Sequence, residues 1–331
     1  MNIKTMAAVA VRRWVTPPPA KLAIEHTTEC NLHCANCARE IQRPEVRHMP
    51  KEVIFGLAKD LPHASISFEG QGEGFCHPEI YDILDGLKDK KVRIITNATI
   101  IDIDRIKGQK NLTLVVSPYG ARQIGTAAML VARGMQVEFN TVLFPESQNP
   151  ETLISIAEEI GVVAVNYSHP QCFTSKVKHL DDTNQWEDIY FNLKSCAKRS
   201  KIKVTTPPLM ARRSPCLYPW YVFRVSVDGS VFPCSYLPQL KSGGYSERYL
   251  NSYVTADQGE ILMGNIYKQG VNEIWRGAKW VQFRKRMITH DRNGTLKGEI
   301  FNGALESMRV VADINGWDYC QTCLHKWGKS C

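Results

Sequence analysis

Between residues 21 and 200, short apolar runs alternate with amphipathic stretches, and this rhythm leaves few folds open. Six runs read as strands: Lys21–Glu25, Ser65–Phe68, Val92–Ile95, Leu112–Val116, Val137–Asn140 and Val162–Asn166. Helical patterns lie between and after them, at Glu52–Asp60, Pro78–Lys88, Asp102–Ile106, Arg122–Arg133, Glu151–Ile160 and Asn184–Lys201. Gly134 and Gly161 follow two of these patterns, where a glycine in the left-handed region commonly ends a helix. Repeated strand–helix units build a parallel sheet. In barrels of such units the functional groups gather at the carboxyl ends of the strands.

Thr205-Thr206-Pro207-Pro208 breaks the rhythm and reads as a domain boundary. Beyond it, Val222–Val227, Asp228-Gly229 and Ser230–Phe232 read as a β-hairpin with an Asp-Gly turn. The stretch Lys241–Gly259 is polar and reads as a loop, and helical patterns follow at Val271–Trp275 and Ala278–Thr289.

Cysteine supplies the chemistry. Cys30, Cys34 and Cys37 form a C-x3-C-x2-C run straight after the first strand. A 4Fe–4S cube has four irons, each usually taking one thiolate. Three local thiolates leave one iron open, and an open coordination position is where a ligand can bind and react. The competing reading is a zinc site, with His33 or His26 as the fourth ligand. A glycine-rich segment, Phe68-Glu69-Gly70-Gln71-Gly72-Glu73-Gly74, follows the second strand. Its glycines let backbone approach a ligand closely, and Glu73 can accept from an ammonium.

These features together resemble the radical SAM enzymes. That family carries C-x3-C-x2-C after its first strand and a Gly-Gly-Glu segment after its second, here Gln71-Gly72-Glu73. The resemblance implies a partial (β/α)6 TIM-like barrel over residues 21–204, after an extension over 1–20. It implies S-adenosylmethionine (SAM) on the open iron, cleaved reductively to a 5′-deoxyadenosyl radical that abstracts a substrate hydrogen. It assigns SAM contacts to Gln71, Gly72 and Glu73, to Thr96 and Asn97 after the third strand, and to Ser117, Asn140 and Val165 at later strands. His77-Pro78-Glu79 matches a frequent structural segment of the family. One departure is Asn36, where the family often has an aromatic residue against adenine.

Residues 205–331 resemble the SPASM/twitch extension of the same enzymes, a small α+β domain. Cys216 and Cys234 stand in a C-x12-G-x4-C pattern, followed by Gly264-Asn265-Ile266, Glu273-Ile274-Trp275 and Cys320-x2-Cys323. The resemblance implies an auxiliary 4Fe–4S cluster on Cys216, Cys234, Cys320 and Cys323. Four thiolates leave no open iron, which suits electron transfer or structure. A zinc held by two separated cysteine pairs is the competing reading, and Cys331 is a spare thiol.

Three cysteines remain. Cys196 falls mid-helix and reads as a buried small residue. Cys76 and Cys172 follow the second and sixth strands, where a thiol can return a hydrogen atom to a substrate radical. Quenching by a thiol gives an epimer; an electron passed to the auxiliary cluster gives oxidation or a cross-link. The extension before residue 21 is too short for a peptide-recognition domain, which turns the expected substrate toward a small molecule of sugar or nucleoside type, or a peptide held without that domain. Flavodoxin or ferredoxin is the implied reductant. The reading from another class is a non-enzymatic iron–sulfur or zinc protein, a redox sensor or electron carrier.

Charge and composition narrow the setting. Eleven clustered cysteines in a chain without a signal-peptide pattern favour metal over disulfides and a cytoplasmic location. No apolar run approaches the roughly 20 residues that cross a bilayer. The net charge of +8 suits solubility or an anionic substrate. Basic and aromatic residues do not interleave as in nucleic-acid binders.

Overall fold

Val92, Ile94 and Thr96 are buried on one face of a strand, while Arg93 and Ile95 are exposed on the other. This period-two alternation marks β3, whereas the strands on either side of it are buried on both faces over most of their length. The computed structural model describes residues 16–34, 37–143, 149–168, 183–206, 218–234, 247–249, 252–254 and 262–292.

The first seven strands are β1 (Lys21–Ile24), β2 (Ser65–Phe68), β3 (Val92–Thr96), β4 (Leu112–Val116), β5 (Gln136–Val142), β6 (Ala164–Ser168) and β7 (Lys203–Thr205). They lie side by side in chain order, all parallel. Helices fill the crossovers: α1 (Ala38–Gln42) and α2 (Lys51–Asp60) before β2, then α3 (Ile80–Gly86), α4 (Ile103–Ile106), α5 (Ala121–Ala132), α6 (Pro150–Ile160) and α7 (Thr183–Arg199). The partial barrel expected from the sequence is therefore present, with a seventh strand that the pattern did not reveal. β7 is three residues long and only Val204 in it is apolar, too little for a periodic signal.

The ends of α6 show how sequence punctuates structure. The Asn149 side chain accepts from Glu151 N–H at 3.0 Å, Pro150 opens the helix, and Gly161 closes it at φ +81°. Inside the crossovers, Leu22, Phe68, Ile94, Leu114 and Phe139 from the strands meet Ile54, Ile83, Leu130 and Leu193 from the helices. All are buried in one continuous core.

The chain beyond residue 206 adds to the same sheet. β8 (Val222–Val225) pairs parallel with β1, with Ala23 opposite Arg224. β9 (Ser230–Phe232) and β12 (Gly264–Asn265) continue it antiparallel. The hairpin turns at Gly229, φ +78°, as the Asp-Gly pair predicts. A Cβ there would sit 2.4 Å from the Tyr267 ring, so glycine is required twice over.

Within the polar stretch read as a loop, β10 (Glu247–Tyr249) and β11 (Ser252–Val254) form an antiparallel pair. This corrects that expectation: alternation over three residues is too short to separate from loop composition. Helices α8 (Tyr218–Tyr221), α9 (Val271–Arg276) and α10 (Ala278–Arg292) complete the described chain. Trp275, Trp280 and Phe223 pack together there, with Trp280 stacked on Phe223 at 5.7 Å and Trp275 4.6 Å from Trp280. Arg284 lies over Trp275 at 4.1 Å. Its Nε donates to Pro219 O at 2.9 Å, and Trp280 Nε1 donates to the same carbonyl at 3.0 Å. No helix among the described residues is long and apolar enough to cross a membrane.

Candidate active site

The cluster loop leaves β1 at Ile24 and is pinned before it reaches its thiols. Thr28 Oγ1 donates to Glu45 O at 2.6 Å, and Arg39 Nε donates to Thr28 O at 2.8 Å. Cys37 N–H then donates to Cys34 O at 3.0 Å, which turns the loop back on itself. Cys30 and Cys37 are half-buried and Cys34 is exposed. The three thiols lie within each other's electrostatic reach. Burial pushes the Cys34 thiol up, and the thiols of Cys37 and Cys30 push it further. Burial also raises Cys30, with Glu73 and Cys37 adding to it and Arg39 opposing. Crowded thiols of this kind hold their protons until a cation replaces them. The iron of a 4Fe–4S cube is such a cation; among the described residues no three such side chains are gathered closely enough to hold a metal ion, so the thiols would have to draw together on binding it.

The glycine-rich loop packs directly on the cluster loop. A Cβ on Gly72 would lie 2.4 Å from Thr27 O, and Glu73 N–H donates to Glu29 O at 2.7 Å. A Cβ on Gly70 would lie 2.7 Å from Glu25 Cγ. Gln71 N–H donates to Glu25 Oε1 at 3.2 Å.

Glu73 is buried, with a carboxylate already engaged. Its Oε1 accepts from Thr96 Oγ1 at 2.6 Å and Phe75 N–H at 3.2 Å, and its Oε2 accepts from Asn97 N–H at 2.6 Å. A carboxylate has about four acceptor positions. One therefore remains for a ligand, on the oxygen that already holds Asn97. Glu73 thus acts first as the bolt between the glycine-rich loop and the end of β3.

Asn97 extends the connection. Its Nδ2 donates to Asn31 Oδ1 at 2.9 Å, and its Oδ1 accepts from Thr99 N–H at 3.0 Å. Asn31 follows Cys30 directly, so the end of β3 holds the first cysteine's neighbour. Ala98, between Asn97 and Thr99, sits at φ +54°, a conformation an alanine rarely takes. Thr96 Oγ1, besides serving Glu73, accepts from Ala98 N–H at 2.9 Å and supports that turn.

Ser117 is buried at the end of β4, and its N–H donates to Thr96 O at 3.0 Å. Beyond it Tyr119, 60% exposed, bonds to Ser117 and lies in the field of all three thiols. Sequence reasoning passed over Tyr119; its signal was an aromatic two residues after a polar strand end. Asn140 pairs with Asn166 between β5 and β6. Val165 differs from expectation. β6 runs on to Ser168, so Val165 is mid-strand, paired with Phe139 on one side and Val204 on the other, with its side chain fully buried. Its backbone serves the ladder, and the strand ends at Ser168.

Cys76 ends a short 3-10 turn, Gly74–Cys76, beside the cluster loop. Burial, then Glu73, Glu29 and Cys30, push its thiol up to about 11, against a hydrogen bond from the Asn31 backbone. It is held protonated and is tied to the loop that carries Cys30. His77 is equally structural: one ring nitrogen bonds Met49 O at 2.9 Å, and the other accepts from Glu79 N–H at 3.1 Å. Cys196 is buried in α7, as its sequence position suggests. Cys234 is half-buried past β9. Cys172, Cys216, Cys320, Cys323 and Cys331 lie outside the described residues.

The sheet carries charge that sequence reasoning did not single out. Glu69, just past β2, accepts from Lys21 Nζ at 3.0 Å, Ser67 Oγ at 2.9 Å, Tyr218 Oη at 3.3 Å and Arg224 Nη1 at 3.3 Å. Burial alone would raise its carboxyl, but Lys21 and Arg224 bring it down to about 2. Farther along, Arg93 pairs with Glu138, which also accepts from Asn166 Nδ2 at 3.0 Å.

Comparison with known proteins agrees with this architecture. Residues 216–297 match the SPASM family, an iron–sulfur cluster-binding domain. The AdoMet-dependent heme synthase of Methanosarcina barkeri (strain Fusaro / DSM 804) is 24% identical over an alignment 384 positions long, gaps included, that covers 95% of this chain and 99% of that protein. Streptococcus suis SuiB bound to the precursor peptide SuiA has a TM-score of 0.62 at 17% identity, covering 84% of this chain and 69% of that one. Native anSMEcpe with bound AdoMet has a TM-score of 0.58 at 16% identity, covering 81% and 84%. The cofactors expected from the sequence, 4Fe–4S clusters and SAM, agree with these matches. The chain has the fold of the radical SAM enzymes and carries a SPASM iron–sulfur cluster-binding domain over residues 216–297.

Proposed function

We propose that this protein is a radical SAM enzyme that oxidises a small, polar substrate. Residues 21–204 form the catalytic barrel and residues 205–331 the auxiliary domain. Cys30, Cys34 and Cys37 ligate the catalytic cluster; Cys216, Cys234, Cys320 and Cys323 ligate the auxiliary one. With a reduced 4Fe–4S cluster and SAM bound, Cys30, Cys34 and Cys37 would hold the group that supplies radical hydrogen-abstraction chemistry at the substrate. Glu73 and Asn97 hold the cluster loop and the end of β3 in register, so that the glycine-rich backbone meets SAM in one fixed pose. Ser117 contributes a polar group just past β4, and Asn140, which lies within β5 rather than at its end, contributes one from the strand itself.

One observation carries the reading: three thiols stand on one short loop that Asn97, through Asn31, and Glu73 N–H, through Glu29 O, tie to the ends of β3 and β2. The polar groups Arg93, Glu138 and Asn166 on the strands favour a polar substrate. The near full-length relative named as a heme synthase supports a small molecule. SuiB bound to its precursor peptide supports a second reading, a peptide substrate. Oxidation is favoured over epimerisation because Cys76, one of two candidate hydrogen donors, is tied to the cluster loop; Cys172 is the donor left for an epimerising route. A flavodoxin or ferredoxin supplies the electrons.

Formation of 5′-deoxyadenosine from SAM under dithionite tests the proposal. The reconstituted protein should form it, and a Cys34→Ala variant should not. A redox sensor or electron carrier would form none in either case.

A further inference from the structure

Arg93 lies on the face of β3 opposite the core residues Val92, Ile94 and Thr96, and its side chain is 44% exposed. It reaches across β4, and its Nη2 donates to Glu138 Oε2 on β5. The same oxygen accepts from Asn166 Nδ2 on β6 at 3.0 Å. The strand register carries the row one step further. Glu138 stands opposite Ala164, and Ala164 stands opposite the exposed Lys203 on β7. Residues opposite each other in neighbouring strands point to the same side of a sheet, so Lys203 shares the face of Glu138. Much of the bonding capacity here is unspent. Among the described residues, Arg93 Nε and Nη1, Glu138 Oε1, Asn166 Oδ1 and Lys203 Nζ have no partner. One carboxylate therefore serves two cations, and the row is left net positive.

We propose that Arg93 and Lys203 form a subsite for a carboxylate of the substrate, with Glu138 and Asn166 as positioning residues that hold the guanidinium. This names the substrate class, a carboxylate-bearing small molecule, and rests on the radical SAM reading given above. A guanidinium held at one nitrogen keeps its other N–H groups for the paired contact that arginine makes with a carboxylate. Lys203 adds a second charge, and the chain's net charge of +8 favours an anion further. The height of the row suits a substrate. Glu138 comes two residues before Asn140, and a strand rises about 3.3 Å per residue, so the row lies roughly 7 Å below Asn140. Val115, opposite Glu138, likewise comes two residues before Ser117. Ile95, 37% exposed, stands above Arg93 on the same face and offers apolar contact. A substrate anchored by its acid on Arg93 and resting on Ile95 therefore presents its far end to the strand ends assigned to SAM.

The test is binding of two small probes, hexanoate and its uncharged analogue hexanamide, to the reconstituted full chain with SAM present, followed by ligand-observed NMR. Hexanoate should bind about tenfold more tightly than hexanamide. Arg93→Gln should abolish that preference, and Lys203→Gln should reduce it about threefold. Lys88→Gln removes the same charge just past α3, on the helix side, and should leave it unchanged. Should Arg93→Gln fail to fold, the exposed Lys203→Gln against Lys88→Gln decides. Equal binding of the two probes, no binding of either, or a preference that survives Arg93→Gln and Lys203→Gln overturns the subsite. Formation of 5′-deoxyadenosine under dithionite in the same preparation separates the two readings. A chain that cleaves SAM without preferring hexanoate loses the subsite alone. A chain that prefers hexanoate through Arg93 but cleaves no SAM keeps an anion site and overturns its assignment to a radical SAM substrate.

Discussion

Asn97 Nδ2 donates to Asn31 Oδ1 at 2.9 Å, joining the end of β3 to the residue after Cys30. The bond couples the strand scaffold to the cluster loop, so cluster geometry depends on a residue that ligates nothing. Asn97→Ala should leave the sheet folded and iron bound, yet slow SAM cleavage about tenfold, a loss of about 1.4 kcal/mol. The yield of 5′-deoxyadenosine per bound iron measures it. Unchanged yield would mean that the loop is held elsewhere.

Gly72 tests the close packing of the two loops. A Cβ would lie 2.4 Å from a backbone oxygen, so Gly72→Ala must displace one loop or the other. SAM affinity should fall by at least tenfold, read by equilibrium binding to the reconstituted protein, while the far-ultraviolet circular dichroism stays unchanged.

Glu69 predicts a pH dependence. Its carboxyl has an ordinary value of 4.5 and is brought to about 2 in the folded chain. The folded form binds that proton less tightly than the unfolded form, so the ion pair stabilises above pH 4.5 and loses this as pH falls toward 2. The full effect is roughly 3 kcal/mol at about 1.36 kcal/mol per pH unit. Thermal unfolding of the parent and of Glu69→Gln should differ most near pH 7, and the gap should close as pH falls below 4.5.

Trp280 is fully buried and donates to Pro219 O, three residues after Cys216. Trp280→Ala should cost about 3–5 kcal/mol locally, as large-to-small core changes do. The auxiliary domain should lose its iron first, so iron per chain should drop by about half while SAM is still cleaved. Loss of all iron together would show that the two parts of the sheet unfold as one.

Cys76 bears on the fate of the substrate radical. Its thiol is held protonated and bonded to the Asn31 backbone. Cys76→Ala should keep iron and substrate turnover, with no change in solvent deuterium in the product. A lost product, with SAM cleavage intact, would restore Cys76 as a hydrogen donor.

The sequence made the barrel legible because its strands are apolar and its helices carry clear end signals. Gly161 marks the end of α6 to the residue, while the start, read at Glu151, lies one residue earlier at Pro150. The thiols were legible through spacing alone. What stayed hidden was set by tertiary contacts. β7 has one apolar residue, and only its pairing with β6 makes it a strand. Glu73 read as a ligand contact, yet three donors, from Phe75, Thr96 and Asn97, claim most of its carboxylate. The Lys21–Glu69–Arg224 network joins residues about 48 and 155 positions apart in the chain, and no local pattern announces it.

Iron per chain after anaerobic reconstitution tests the central claim most directly. Two 4Fe–4S clusters predict about eight irons, falling to about four in Cys30→Ala/Cys34→Ala/Cys37→Ala. A chain that takes up no iron, or that keeps all of it in the triple variant, would contradict the account.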